Sequence, residues 1–197
     1  MMKRKLIAAL VPGLFILSSP ATAQQAFSVK PLVEKKVAEL PAGDLFWRID
    51  TFESKDQAQA AAGPFGLVAE SEGKVWLFEL GRAGEDPKGG KRVAEIGPLP
   101  RINAAQYLLR INEAGGPPGS VTSVHTHPGS EAFYVLSGEL TQKTPHGVAR
   151  VSSGQTLVGH GGDVPMEVSS SGSAELKEFA LFVVDSTKPF SSPAHLH

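Results

Sequence analysis

Apolar and polar positions change rhythm near residue 66. Beyond it they alternate with the period of two that sends successive side chains of a strand to opposite faces. In residues 74–80, Trp76, Phe78 and Leu80 share one face. In residues 105–112, Tyr107, Leu109 and Ile111 oppose Gln106, Leu108, Arg110 and Asn112. Residues 176–184 are mostly apolar, as in a strand buried on both sides. A polar, glycine-rich loop over 81–90 and the run Gly115-Gly116-Pro117-Pro118-Gly119 supply the breaks. Before residue 66 the spacing is closer to helical. Leu32, Val33, Val37 and Leu40 predict a short helix in residues 31–40. Residues 54–62 predict a second, with Ser54 as N-cap, Gln57 three residues on and Gly63-Pro64 as its end. Both read as covering pieces. Trp47 and Trp76 read as core rather than pocket lining, the commoner fate of large aromatics in strands.

Composition supports the β reading. Twenty-one glycines and fifteen prolines suit a turn-rich chain, and 197 residues leave room for one domain plus an extension. No internal repeat is visible. There is no cysteine, so disulfides and thiolate ligands are excluded and any metal must be held by nitrogen and oxygen.

Residues 1–23 read as a signal peptide. Lys3, Arg4 and Lys5 form the basic start, residues 6–17 the apolar stretch, and Ala21-Thr22-Ala23 the cleavage site. The stretch is too short, and too interrupted by Pro12 and Gly13, to span a bilayer comfortably. The expected mature chain begins at Gln24, is periplasmic or secreted, and has no membrane association after cleavage. Its charge falls to sixteen bases against twenty acids, a net of −4. No basic stripe remains, and the Lys91-Arg92 pair reads as solvated surface, so nucleic acid is not an expected partner.

The chemistry is concentrated in Gly119-x5-His125-x-His127-x3-Glu131-x6-Gly138. In a strand, residues two apart point the same way, which places both imidazoles on one face with Thr126 on the other. Pro128-Gly129-Ser130 supplies turn chemistry, and Glu131 opens the apolar run 132–136. A hairpin of this kind brings the carboxylate back beside the imidazoles, and two nitrogens with one hard oxygen make a first-row divalent metal site. By the same alternation Phe133 and Val135 share a face with Glu131, and Val121 and Ser123 share a face with His125. The predicted pocket wall is therefore mainly apolar with one hydroxyl, suited to a small organic molecule. Tyr134 and Leu136 point outward, as ordinary core, under the N-terminal extension, or against a second subunit in a homodimer.

At these residues the chain resembles the cupin superfamily, whose first motif has this spacing at every fixed position. The resemblance implies a jelly-roll β-barrel with His125, His127 and Glu131 as metal ligands inside it. The expected architecture is thus all-β: an N-terminal extension with short helices over residues 24–65, a cupin barrel over 66–187 carrying the metal motif at 119–138, and a tail over 188–197. The second family motif, roughly Gly-x5-Pro-x-Gly-x2-His-x3-Asn, is altered. Gly154-x5-His160-x-Gly162-x2-Pro165-x3-Ser169 keeps the glycines and loses the ligand histidine. A register one residue later puts Met166 at the ligand slot and Ser170 at the Asn position. Three readings stay open: His160 substitutes, Met166 lies near the metal or packs there, or the site has three protein ligands. The last is the preferred one, because His160 stands where the family has a turn proline.

Two His and one carboxylate with open positions is the donor set of non-haem Fe(II) oxygenases. The expected function is therefore an exported protein binding a divalent metal (Fe, Mn or Zn). It would act as a metal-dependent enzyme of dioxygenase or isomerase type on a small organic substrate. The alternative is a non-catalytic small-molecule or metal-binding protein. No Gly-x-Ser-x-Gly elbow or phosphate-binding Gly-Lys loop competes. His146 reads as a hairpin tip, and His195 and His197 as a terminal pair outside the site.

Overall fold

The computed structural model describes residues 26–196, so the expected leader and His197 lie outside the described residues. The chain enters as strand β1 (Ser28–Val37) and then builds a four-stranded antiparallel sheet. That sheet comprises β2 (Phe46–Phe52), β3 (Gly66–Ser71), β4 (Lys74–Gly81) and β5 (Lys91–Ile96), in the order β3-β4-β2-β5. Helix α1 (Lys55–Ala61) links β2 to β3. Its N-cap is Ser54, whose hydroxyl accepts from the Gln57 amide, as the sequence predicts.

From β6 (Tyr107–Gly116) onward the chain passes back and forth between two facing sheets. β7 (His125–Thr126) lies in the front sheet and β8 (Gly129–Ser137) in the central one. β9 (Glu139–Thr144) and β10 (Gly147–Ser152) return to the front. β11 (Thr156–Val158) is central, β12 (Glu167–Ser170) front and β13 (Leu176–Asp185) central. The central sheet runs β1-β6-β13-β8-β11, and the front sheet β10-β9-β12. Bridges Val121–Ser169 and His125–Met166 extend the front sheet to β7, which pairs with the short β14 (Ser192–Pro193). This to-and-fro path is a jelly roll, and the fold is all-β in a cupin-like arrangement.

In the middle of the central sheet, β13 and β8 are buried on both faces, whereas the edge strand β1 is largely exposed. Behind the sheet, Phe179, Leu181 and Val183 of β13 pack with Leu109, Ile111, Trp47, Trp76 and Phe78 against the four-stranded sheet. Phe179 stands edge-on to Trp76 and Phe78, each at 5.0 Å between centroids. Both tryptophans are core, as expected. Tyr134 and Leu136 pack into this same layer, so the outward face of β8 is covered by the chain's own N-terminal part. In front of it, Phe133, Val135, Leu140, Val168, Ala180 and Phe182 form a second cluster.

Three expectations need correction. Residues 31–40 are not helical: Ser28–Val37 is strand β1, antiparallel to β6. The register shifts between Pro31 and Val33, and Leu32, Val33 and Val37 all reach the rear core. A bulge places two successive residues on one side, which imitates helical spacing in the sequence. The division expected at residue 65 is crossed by a single sheet, since β2 precedes it and β3–β5 follow it. The tail is not separate either, because Ser192 and Pro193 pair with Thr126 and His125.

The two glycines that bracket the motif have backbone reasons. Gly119 turns at φ +84° and Gly138 at φ +76°, a region that L side chains rarely adopt. At Gly138 a Cβ would also lie 2.7 Å from the Glu175 carbonyl oxygen.

Candidate functional site

The floor of the site is a grid set by strand register. Glu131 of β8 lies opposite Phe182 of β13, which lies opposite Arg110 of β6, itself opposite Glu34 of β1. The next row on this face is Phe133, Ala180, Asn112 and Pro31, and the one after it Val135, Glu178, Ala114 and Val29. Alternation sends these residues forward while their neighbours enter the rear core. The cavity above the floor has a volume of about 480 Å³. His125 and Ser123 of the front sheet's edge line it, with Phe190 at one side. His125, His127 and Glu131 therefore share one cavity, with the predicted Phe133, Ser123 and Val121 beside them.

His127 is the best anchored of the three. It is buried between the rings of Phe182 and Phe190, at 4.8 and 4.7 Å. Its Nδ1 lies 2.6 Å from the Phe190 carbonyl oxygen. A carbonyl only accepts, so Nδ1 carries the proton and Nε2 keeps its lone pair. His125 is fixed the same way, with Nδ1–H donating to the Ser123 carbonyl at 2.8 Å. Each imidazole thus commits Nδ1 to a backbone carbonyl and leaves Nε2 as its other nitrogen, the arrangement that orients a metal-bound histidine. Their rings lie 5.0 Å apart, close to perpendicular.

Burial sets the charges. Desolvation lowers His127 to about 4, helped by the nearby His125 and Arg110 and opposed by the Phe190 carbonyl. Desolvation also raises Glu131 to about 8. His127 Nε2 and Glu131 Oε1 are 3.9 Å apart, but at neutral pH both groups are uncharged and the contact is not an ion pair. Glu131 Oε2 is buried without a hydrogen-bond partner. A divalent cation would compensate this oxygen and use the free Nε2 lone pairs, so the donor set fits one chemically. As they stand, no three His, Asp or Glu side chains among the described residues are gathered closely enough to hold a metal ion. Binding would have to draw the three together.

Sequence reasoning missed Glu178. It lies in the otherwise apolar β13, is 2% exposed, lines the cavity, and has an Oε2 without a partner. Desolvation and then the Glu131 charge push its carboxyl well above the usual range. The signal was present, since a carboxylate in a strand apolar on both faces has no solvent to reach. Arg110, Asn112 and Phe190 were not recognised as pocket residues either.

Neither candidate fourth ligand reaches the site. His160 is exposed, and its ring lies tilted against that of His146 at 4.8 Å. Met166 is buried, and its sulfur accepts from Gln142 Nε2 at 3.5 Å. Neither lines the cavity. Ser137 donates to the Glu175 carbonyl.

A second cavity of about 480 Å³ lies by α1 and β4. Its ionic groups are mostly engaged with one another: Arg48 with Glu85, Arg92 with Asp50 at 2.5 Å, and Glu79 with the Gly63 amide at 2.9 Å. Each of these carboxylates has a partner, although Arg48 Nε is buried without one.

No family model matches the sequence, and no curated protein matches it. Among solved structures it is similar to a double-stranded β-helix protein from Klebsiella pneumoniae at 19% identity, over 44% of this chain and 75% of that one, with a TM-score of 0.38. It is similar to a cupin-like protein from Thermotoga maritima at 15% identity, over 45% and 65%, with a TM-score of 0.40. A DMSP lyase from Ruegeria pomeroyi is 18% identical over 44% and 43%, with a TM-score of 0.38. Each match spans less than half of this chain. The assignment of an all-β, cupin-like jelly roll rests on the strand pairings themselves.

Proposed function

We propose that this chain binds one divalent metal through His125, His127 and Glu131 and acts on a small organic molecule held in the same cavity. The observation that carries the reading is the arrangement of the donors: two imidazoles whose Nδ1 atoms are held by backbone carbonyls, beside a buried carboxyl oxygen that nothing satisfies. A metal bound there would polarise an oxygen-bearing substrate or hold it beside O₂, the chemistry of an isomerase or a dioxygenase. The Phe190 carbonyl keeps the His127 proton on Nδ1, and Phe133, Phe182 and Val168 form a wall that limits water. Glu178 offers a second carboxyl at which a proton can be held or released, which a passive apolar pocket does not require. Export to the periplasm or beyond belongs to this reading and is supported by the sequence of residues 1–23.

Binding without turnover is the second reading. Its support is the missing fourth ligand, since His160 and Met166 both lie outside the cavity.

The test is calorimetric titration of Zn(II) and, anaerobically, Fe(II) into metal-free protein. Wild type should take up one equivalent. The His125→Ala/His127→Ala variant should take up none while keeping its β circular dichroism. Unchanged uptake in that variant would place the metal elsewhere, with the His195 and His197 pair the first suspects.

A further inference from the structure

Among the described residues, Arg110 is the one Lys or Arg that lines the cavity, and its partners engage only part of its guanidinium. Arg110 is 18% exposed at the side chain and lies on the pocket floor. Its guanidinium stacks on the Phe190 ring at 4.3 Å, and its Nε–H donates to Asn112 Oδ1 at 3.0 Å. A guanidinium carries five N–H donors in a planar fork. Among the described residues, that bond to Asn112 is the only hydrogen bond it makes. The nearest carboxylate, Glu34 Oε2, is 3.6 Å from Nη1, beyond good hydrogen-bond distance, and Glu34 is half exposed. Stacking and the Asn112 bond thus hold the fork in place, and on its outer edge only the loose ion pair of Nη1 with the half-exposed Glu34 competes for it. Glu131, Phe182 and Arg110 occupy one row of adjacent strands, so Glu131 and Arg110 stand roughly 10 Å apart across Phe182. The row presents a metal-binding end, an apolar middle and a cationic end.

We infer that Arg110 is the specificity-determining residue of this pocket and that its ligands are small organic carboxylates. The carboxylate meets the Arg110 fork and the apolar body lies over Phe182 and Ala180, toward His127 and Glu131. The inference rests on the proposed function for the metal end, but Arg110 itself takes no part in holding the metal. A planar bidentate partner suits a carboxylate better than a neutral amide or an ammonium group.

The experiment uses the zinc-loaded, full-length protein with benzoate and its neutral isostere benzamide as probes, each titrated by calorimetry. Arg110→Met keeps an apolar stem against Phe190 and removes the charge. It should weaken benzoate binding about tenfold or more, the loss expected for a charge-assisted hydrogen bond, and change benzamide binding less than about twofold. Arg110→Lys should recover only part of the benzoate affinity, because a point charge replaces the fork. Glu34→Gln, which removes the competing carboxylate, should strengthen benzoate binding. Equal losses for benzoate and benzamide in Arg110→Met would mean a merely structural role and overturn the inference. So would benzoate binding that is indifferent to Arg110, the result expected if the probe simply coordinates zinc. Failure of the metal reading is separable, because it appears as absent zinc uptake in wild type before any probe is added.

Discussion

The two faces of the central sheet are made by the same strands and obey different rules. On the rear face, Phe179, Leu181 and Val183 meet Trp47, Trp76 and Phe78 in a mainly apolar layer. On the front face the alternate residues of those strands include Glu178, Glu131, Asn112 and Arg110, all wholly or mostly buried. Hydrocarbon burial stabilises the first by about 1.5–3 kcal/mol per large side chain. Two carboxyls with unpartnered oxygens cost the second stability, since an unsatisfied buried polar group carries its full desolvation penalty. The contrast with the second cavity is just as useful. Glu79 and Asp50 are also buried, yet each has a partner there. Polar burial alone therefore does not mark a site; what sets the front cavity apart is two buried carboxyls, each with an unpartnered oxygen, facing the same space as two histidines.

Substitutions can break this comparison from either side. The largest effect should come from Phe179→Ala, which removes the ring at the junction of Trp76 and Phe78. It should cost about 3–5 kcal/mol in urea unfolding while leaving zinc stoichiometry intact in the molecules that stay folded. A lost metal site in folded protein would show that the two faces are not independent. Next, Glu178→Leu should raise the stability of the metal-free protein by about 1–3 kcal/mol, because the desolvation penalty of the carboxyl disappears. Destabilisation by the same amount would show that Glu178 has a structural partner.

The pH dependence of the metal-free protein comes third. Glu131 stays protonated in the folded state up to about 8 but ionises near 4.5 when unfolded, so the unfolded state binds fewer protons across that window. Stability from this group is complete below 4.5 and is lost as pH rises toward 8. Glu178, also raised, acts in the same direction. His127 acts oppositely, since its pKa is lowered from 6.5 to about 4 and stability falls as pH drops between those values. The carboxyl effect is unopposed by His127 above 6.5. The calorimetric Tm should therefore be lower at pH 8 than at pH 6.5, and Glu131→Gln should flatten part of that slope. The smallest effects belong to the residues that lost the contest for a fourth ligand. Met166→Leu, nearly volume-conserving, should cost less than about 1.5 kcal/mol, and His160→Ala less than about 0.5 kcal/mol. Zinc affinity should be unchanged in both, and a marked drop in His160→Ala would restore it as a ligand.

The sequence was most legible where alternation was strict. The faces of β6 and β8, the doubly buried β13, the cap at Ser54 and the grouping of His125, His127 and Glu131 around one cavity all follow from local spacing. It misled where a bulge broke the period, so that Leu32 and Val33 imitated a helix. It was silent where function depends on register between distant strands. Nothing local reveals that Arg110 stands opposite Phe182, or that Glu34 and Glu131 end the same row. Phe190 was hidden for the same reason, being 63 residues from the histidine whose proton it holds.

That separation has a consequence in time. A chain made from its N-terminus exposes His125 and His127 long before Phe190 has been synthesised. Until residues 190–193 arrive, β7 lacks its partner strand and His127 lacks the acceptor that assigns its tautomer. An imidazole in that interval is free to protonate or to pick up whatever ion is at hand, with either nitrogen. One short segment, residues 190–193, thus both completes the pairing of β7 and assigns the proton of His127.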